Sequence, residues 1–370
     1  MEVRDIPRHQ VEGVVPVVKE MRQQAPYYLV ALIEDGRLEN VENIRDVHGG
    51  GIQALGGESS ACYLLENNGK KTFVKFRPRG VFAEVESLQA WGERGASVPH
   101  IQAVTEIRDA TIHGKPVQAL VMDAVVGENG ENASDGYHFL SQHPDRRTSL
   151  SRLMGTELAL MHRTQSDKPF GGFADTWGAG SPYETLTEFY TDRVKNASEF
   201  LTRLGITDEQ IAVLMDKIRT TAFPQKGVYV HGDYGLHNVL VESTEPLRIK
   251  VIDPNPDILD PYWDLAYQYN RLERKKALSA SDPSDQNFKE SYEKEQEYLE
   301  GLMQGYQAVL GIEELDSSRL VINQIVKDIG SLRYHETKSR SAQPKDIDIS
   351  KEVLKKRILT FVDVNGKEVT

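Results

Sequence analysis

Between residues 231 and 241 the chain reads HGDYGLHNVLV: His231, Asp233, His237 and Asn238 fall within eight residues and run into an apolar segment. Three chemistries draw on such groups. They can form a metal cage, an acid/base pair for a nucleophile, or a loop that orients a hydroxyl and a metal ion for phosphoryl transfer. A tetrahedral zinc site needs three or four nitrogen or sulfur ligands, and neither Cys62, the single cysteine, nor a second His-x-x-x-His pair offers them nearby. A nucleophile elbow needs a serine or cysteine in a sharp strand-to-helix turn, and GLHNV has neither. Phosphoryl transfer asks for an Asp beside the acceptor hydroxyl and an Asn five residues later as a metal ligand. It also asks for a second Asp at the end of the next strand. Asp233 and Asn238 have that spacing, and LRIKVIDP delivers Asp253 after an apolar run.

The same chemistry requires parts far upstream. A strand lysine must reach the nucleotide phosphates, and KTFVKF supplies Lys75. A helical glutamate must pin that lysine, and FAEVESL supplies Glu86, with Glu84 as the alternate. A glycine-containing turn ahead of the lysine strand should cover the phosphates. ALGGESSACYLL provides Gly56 and Gly57, with Ser59 and Ser60 beside them. A strand lysine is usually a solvated edge residue, a helical glutamate usually a surface one, and a Gly-Gly turn without the full G-x-G-x-x-G is weak. The five parts in the right order carry the reading together.

The elements that must position these groups can be read from periodicity. ACYLLENNGKKTFVKF reads as a hairpin hinged on Asn67-Asn68-Gly69-Lys70, where Asn and Gly accept positive φ. VFAEVESLQAWGERG reads as a helix with Phe82, Val85, Leu88 and Trp91 or Gly92 on one face. SVPHIQAVTEI and KPVQALVMDAVVG read as strands around a turn at His113-Gly114. After Gly127 a polar, Gly/Asn-rich connector precedes TSLSRLMGTELALMHRTQ, an amphipathic helix with Leu150, Leu153, Met154, Leu158 and Met161 spaced by three and four. Further strands are expected at 227–231, 238–242 and 248–252. Ahead of these, QVEGVVPVVKEMRQQ reads as an amphipathic stretch broken by Pro16, followed by a short apolar run, YYLVALI. The last residues, 342–370, are polar and carry no signal. This order, sheet-rich then helix-rich, predicts an α+β, bilobal architecture rather than alternating βαβ units. The expected division is an extension at 1–45, a nucleotide-binding N-lobe at 46–126, and a C-lobe at 127–370.

The chain has 370 residues, 39% of them hydrophobic and 27% charged, which suits a soluble globular protein with a sizeable core. A net charge of -12 argues against a nucleic-acid partner, since such proteins carry a basic footprint. The charged start MEVRDIPRHQ does not read as a signal peptide, and the apolar runs fall far short of a membrane span. A cytoplasmic protein with no membrane partner is expected, as a monomer or homodimer.

HGDYGLHNVLV followed by VIDPNPDILDPYWDLA resembles the aminoglycoside phosphotransferase and fructosamine-kinase superfamily of small-molecule kinases, in which H-G-D-x-x-x-x-N replaces the protein-kinase H-R-D-x-x-x-x-N. GGESSACYLLENNGKKTFVKF with VFAEVESLQAWGERGASVPHI is similar to its N-lobe, and MGTELALMHR to its G-x-x-L-A-x-L-H helix. The likeness covers about 46–275. It implies a protein kinase-like fold with ATP (or GTP) and Mg2+ as cofactors. Asp233 would be the catalytic base, Asn238 and Asp253 the metal ligands, and Lys75 the phosphate contact held by Glu86. Met122 would sit behind the adenine, with the Asp123 carbonyl and Val125 amide bonding its edge. His231 and Asp264 would brace the loop. Pro254 and Tyr234 depart from the family's common residues, and the first 45 residues match no pattern; no chemical group is lost.

The expected partner is a small-molecule acceptor with a hydroxyl, first an aminoglycoside or similar antibiotic, alternatively fructosamine, choline or another metabolic alcohol or amine. A catalytically silent nucleotide-binding protein is disfavoured by the intact Asp233, Asn238, Asp253 and Lys75. A protein kinase is disfavoured by the missing arginine and A-P-E segment. Asp257, Asp260, Asp192 and Glu188 are candidate acceptor carboxylates; Trp177, Tyr183, Tyr190 and Trp263 are candidate stacking aromatics.

Overall fold

The computed structural model describes residues 16–38, 53–55, 60–67, 69–78, 80–112, 114–171, 182–338 and 344–363. The described residues fall into two compact units. One takes those up to 139 together with 237–253; the other takes those between 140 and 236 and from 254 onward.

In the first unit, strict side-chain alternation builds a sheet with two different faces. Its strands are β1 (Gln53–Leu55), β2 (Ala61–Asn67), β3 (Lys70–Arg77), β4 (Ile101–Ile112) and β5 (Lys115–Asp123), antiparallel in the order β1-β2-β3-β5-β4. The expected hairpin forms between β2 and β3, with Asn67 opposite Lys70 and Gly69 at φ 78. Val74 and Phe76 of β3 and Val117, Ala119 and Val121 of β5 face one core. Met21, Ala25, Tyr28, Leu29 and Leu32 of helix α1 (Pro16–Glu34) complete it. Pro16 therefore opens this helix instead of breaking it, because a first-turn N–H has no acceptor within the helix and proline's missing N–H costs no bond there. The apolar run YYLVALI continues the same helix through Pro26.

The other face of the sheet carries Phe73 and Lys75 of β3 and Leu120 and Met122 of β5, by the same alternation. Helix α2 (Val81–Glu93) covers it with Val81 and Val85. The buried stripe of α2 includes Val81, Glu84, Val85, Leu88 and Trp91, whereas Phe82, expected inside, is exposed. A three-stranded sheet of β6 (Ser134–Asp135), β8 (Val239–Thr244) and β9 (Leu247–Val251) also belongs to this unit. The Ser97 hydroxyl donates to the Ile249 carbonyl, and the Val251 amide to that of Ser97, tying β9 to the segment after α2.

The second unit is mostly helical. Helix α4 (Arg147–His162) follows the short α3 (Gly136–Gln142) and buries Leu150, Met154, Leu158 and Met161, while Leu153 is only partly buried. Helices α5 (Leu186–Lys195), α6 (Ser198–Arg203) and α7 (Asp208–Thr220) come next. The last four are α8 (Tyr262–Ser281), α9 (Gln286–Leu310), α10 (Ser317–Lys338) and α11 (Pro344–Val362). Helix α4 meets α9 closely, since a Cβ on Gly155 would lie 1.9 Å from the Leu302 carbonyl oxygen. The polar-looking tail is amphipathic: Leu354, Ile358 and Val362 of α11 join the unit's main core with Ile322, Ile325 and Ile329 of α10. A two-stranded ribbon of β7 (Val228–Val230) and β10 (Asp257–Leu259) pairs Val230 with Asp257.

Candidate active site

In the first unit the site is a buried ion cluster. The Lys75 ammonium donates to both Glu84 carboxylate oxygens, at 3.0 and 2.7 Å, and to Asp253 Oδ1 at 2.5 Å. Lys75 and Glu84 are almost fully enclosed, while the Asp253 side chain is 58% exposed. Burial disfavours the ammonium, but the Glu84 and Asp253 carboxylates outweigh it and hold Lys75 above its ordinary value. Burial raises the Glu84 carboxyl against the pull of Lys75.

The expected partner of Lys75 was Glu86, and the structure corrects this to Glu84. With Val81, Val85 and Leu88 inward, Glu84 shares their face and Glu86, two residues on, points about 200° away. The signal was present in the VxxxVxxL spacing.

Asn238 and Asp253 meet at the base of the β8–β9 hairpin. Val239 pairs with Val251, and the Ile252 amide donates to the Asn238 carbonyl at 3.0 Å, so the residue next to Asp253 is bonded to Asn238. Asp253 adopts φ 51, a left-handed conformation that a non-glycine residue takes at some cost. His237 stacks on Tyr137, with ring centroids 6.4 Å apart. Met122 is buried on the α2 side of the sheet. The Asp123 carboxylate accepts from Gln102, and its amide donates to the His100 carbonyl. The Val125 carbonyl accepts from Ala133. Ser60 is buried with its hydroxyl 3.3 Å from Cys62 Sγ; Gly57 and Ser59 lie outside the described residues.

In the second unit the segment before Asp233 is clamped. Asp264, fully buried on α8, accepts from the His231 amide at 2.7 Å and the Gly232 amide at 2.8 Å. His162, from the end of α4, lies 3.1 Å from the same carboxylate and is itself 2.9 Å from the Tyr306 hydroxyl. Burial works against ionisation of Asp264, but His162 and then Lys327 outweigh it and keep the carboxyl below its ordinary value. Gly232 sits at φ 80, and a Cβ there would come 2.0 Å from the Asn255 carbonyl oxygen, so only glycine fits. Tyr234 donates through its hydroxyl to the Met154 carbonyl at 2.7 Å, and Gln268 donates to the Tyr234 carbonyl. Tyr234 thus anchors the loop to α4.

Sequence reasoning missed His162, Tyr306 and Lys327 as parts of this clamp. His162 closed the recognised MGTELALMHR motif, which was the available signal; Lys327 and Tyr306 are single residues on long helices with none.

Several acceptor candidates have structural partners. The Arg319 guanidinium donates twice to Asp260, and the Tyr183 hydroxyl to Asp192. Glu188 closes a capping box with Thr185, and Asp257 is buried with its carboxylate on the Ile258 amide. Tyr190 is fully buried and cannot stack on a ligand, whereas Trp263 lies under the Lys327 ammonium. Trp177 lies outside the described residues.

A strand lysine held by a helical glutamate, on an antiparallel sheet followed in the chain by a mostly helical part, defines a kinase-like phosphotransferase. The family model described as the phosphotransferase enzyme family, APH, matches residues 51–309, and the chain belongs to that family. It is a small-molecule kinase by class. No curated protein matches the chain. Among solved structures it is similar to a candidate fructosamine-3-kinase from Haemophilus somnus 129PT, with 15% identity, 84% of this chain and 94% of that one covered, and a TM-score of 0.51. A thermostable mutant of aminoglycoside phosphotransferase APH(4)-Ia, in ternary complex with ADP and hygromycin B, gives 13% identity, coverage of 88% and 98%, and a TM-score of 0.52. A microcompartment-associated aminopropanol kinase gives 15%, 90%, 96% and 0.50 in the same order. These likenesses establish the kinase-like fold. No helix among the described residues is long and apolar enough to cross a membrane.

Proposed function

We propose that the protein transfers the γ-phosphate of ATP, or GTP, to a hydroxyl of a small molecule. The observation that carries this is the buried Lys75–Glu84 pair reaching Asp253 at 2.5 Å. A lysine in that setting is a fixed positive charge directed by its glutamate, suited to nucleotide phosphates. Asp233 accepts the proton of the acceptor hydroxyl. Asn238 and Asp253 offer hard oxygen ligands side by side at one hairpin end, which fits Mg2+, an ion usually held by one or two protein oxygens and the substrate phosphates. When bound, Mg2+ supplies charge neutralisation on the phosphates. We assign Met122 and the backbone of Asp123 and Val125 to the adenine, and Ser60, Ser59 and Gly57 to the phosphates.

For the acceptor we first infer an aminoglycoside or similar antibiotic, as in the ternary complex named above. A second reading, a metabolic amine or sugar alcohol such as fructosamine or choline, is supported by the internal engagement of Asp260, Asp192 and Glu188. Those carboxylates are the groups a polycationic antibiotic would need. Phosphotransfer assayed with aminoglycosides, glycated amines, choline and aminopropanol tests both readings. Turnover with one class selects it, and no nucleotide binding or turnover with any refutes the proposed reaction. Asp233→Ala is expected to lower kcat by about 10²–10⁴-fold with nucleotide affinity intact; full turnover in that variant refutes the base.

A further inference from the structure

The residue before Asp233 is gripped from both sides. Its amide goes to Asp264 of α8, and its carbonyl accepts from the Lys327 ammonium of α10 at 2.9 Å. That ammonium also lies over two rings of α8, 4.7 Å from the Trp263 centroid and 5.4 Å from that of Tyr267. A solvated surface lysine has no reason to be held this way. Lys327 is half-buried; drawing its cation from water beneath two rings costs desolvation energy, and its hydrogen bond goes to a neutral carbonyl. The charged groups around it are Asp264 on α8, Asp233 on the loop and Asp328 on its own helix. Asp328 is neutralised by Arg357 of α11 at 2.6 Å, and Asp264 already accepts from two amides and His162. Asp233 is the third of these carboxylates, one residue beyond the carbonyl that Lys327 holds.

We propose that Lys327 is a positioning residue for the phosphotransfer reaction: it fixes the Gly232 carbonyl, and with it the direction of Asp233, and sets a positive charge beside the base. This rests on the assignment of Asp233 as the base. Because burial outweighs the surrounding carboxylates, the Lys327 ammonium titrates near pH 8, and the device weakens above that pH.

Two variants of the full chain test the proposal. Lys327→Met is expected to lower kcat about ten-fold or more, with the KM for ATP changed less than about two-fold. Its thermal midpoint is expected to stay level or rise, since a half-buried, partly desolvated charge is removed. A structural lysine would give the opposite, a lowered midpoint with kcat preserved, and that result overturns the proposal. Lys327→Arg keeps a charge that does not titrate below pH 12; it should retain more activity and lose the fall in kcat near pH 8. A fall that persists unchanged overturns the proposal. A third readout needs no turnover: carboxyl NMR of Asp233, assigned with Asp233→Asn, should titrate at higher pH in Lys327→Met than in the parent. An unmoved midpoint overturns the proposal even if the phosphotransfer reading fails, and a raised midpoint in a chain without turnover upholds the electrostatic role while refuting the reaction.

Discussion

At the residue scale, the cluster Lys75–Glu84–Asp253 makes two of the assignments separable. Asp253→Ala is expected to abolish magnesium-dependent nucleotide binding, measured by calorimetry with and without Mg2+; unchanged affinity removes the metal role. Glu84→Gln leaves a buried lysine short of a counter-charge and is expected to destabilise the fold by about 3 kcal/mol. Glu86→Gln should change stability by less than about 1 kcal/mol. Urea denaturation of the two variants checks the correction directly, and equal losses would undo it. Strand alternation and the loop spacing put Lys75 on a strand and Asn238 and Asp253 at one hairpin base, and they stand there. Glu84 was legible only as the alternate, because two glutamates stand two residues apart and each alone reads as a surface group; the face of Val81, Val85 and Leu88 is what separates them. The clamp residues His162 and Lys327 lie 69 residues before and 96 residues after His231 in sequence, and no local pattern marks a hydrogen bond over such a distance.

At the element scale, the strongest periodic signals became elements: the β2–β3 hairpin, α2, α4 and the β8–β9 hairpin all form. Helix α1 was legible only in halves, because Pro16 read as a break although it opens the helix, and the run after Pro26 read as a separate apolar stretch. The three-residue strands β7 and β10 owe their pairing to partners distant in sequence; the first was expected and the second was not. The α4–α9 contact gives a prediction with an internal control. Gly155→Ala forces a Cβ against the Leu302 carbonyl and should destabilise by about 1–3 kcal/mol through overpacking. Gly330→Ala, on an open face of α10, should stabilise by up to about 1 kcal/mol. Thermal melts showing both variants shifted the same way would contradict the packing described here.

At the scale of the whole molecule, Lys327 leaves a signature in the pH dependence of stability. Its folded value of about 8 lies below the ordinary 10.5. The unfolded chain therefore binds more protons between those values, and this group's contribution to stability rises with pH across that window. Below pH 8 the buried charge is a full penalty. The stability advantage expected for Lys327→Met should thus shrink between pH 8 and 10, as chemical denaturation at the two values would read; an advantage that stays constant contradicts it.

Three helices toward the ends of the described chain bear on where the folding unit stops. The family match ends at 309, before α10 and α11, and begins at 51, after α1. Helix α1 gives Met21, Tyr28, Leu29 and Leu32 to one core, and α10 with α11 gives Ile322, Ile325, Ile329, Leu354 and Ile358 to the other. A fragment trimmed to 51–309 would present both cores to water, each missing one wall, and should be recovered as aggregate from expression that yields the full chain in solution. The matched range holds the residues assigned to the chemistry, whereas both cores extend beyond it.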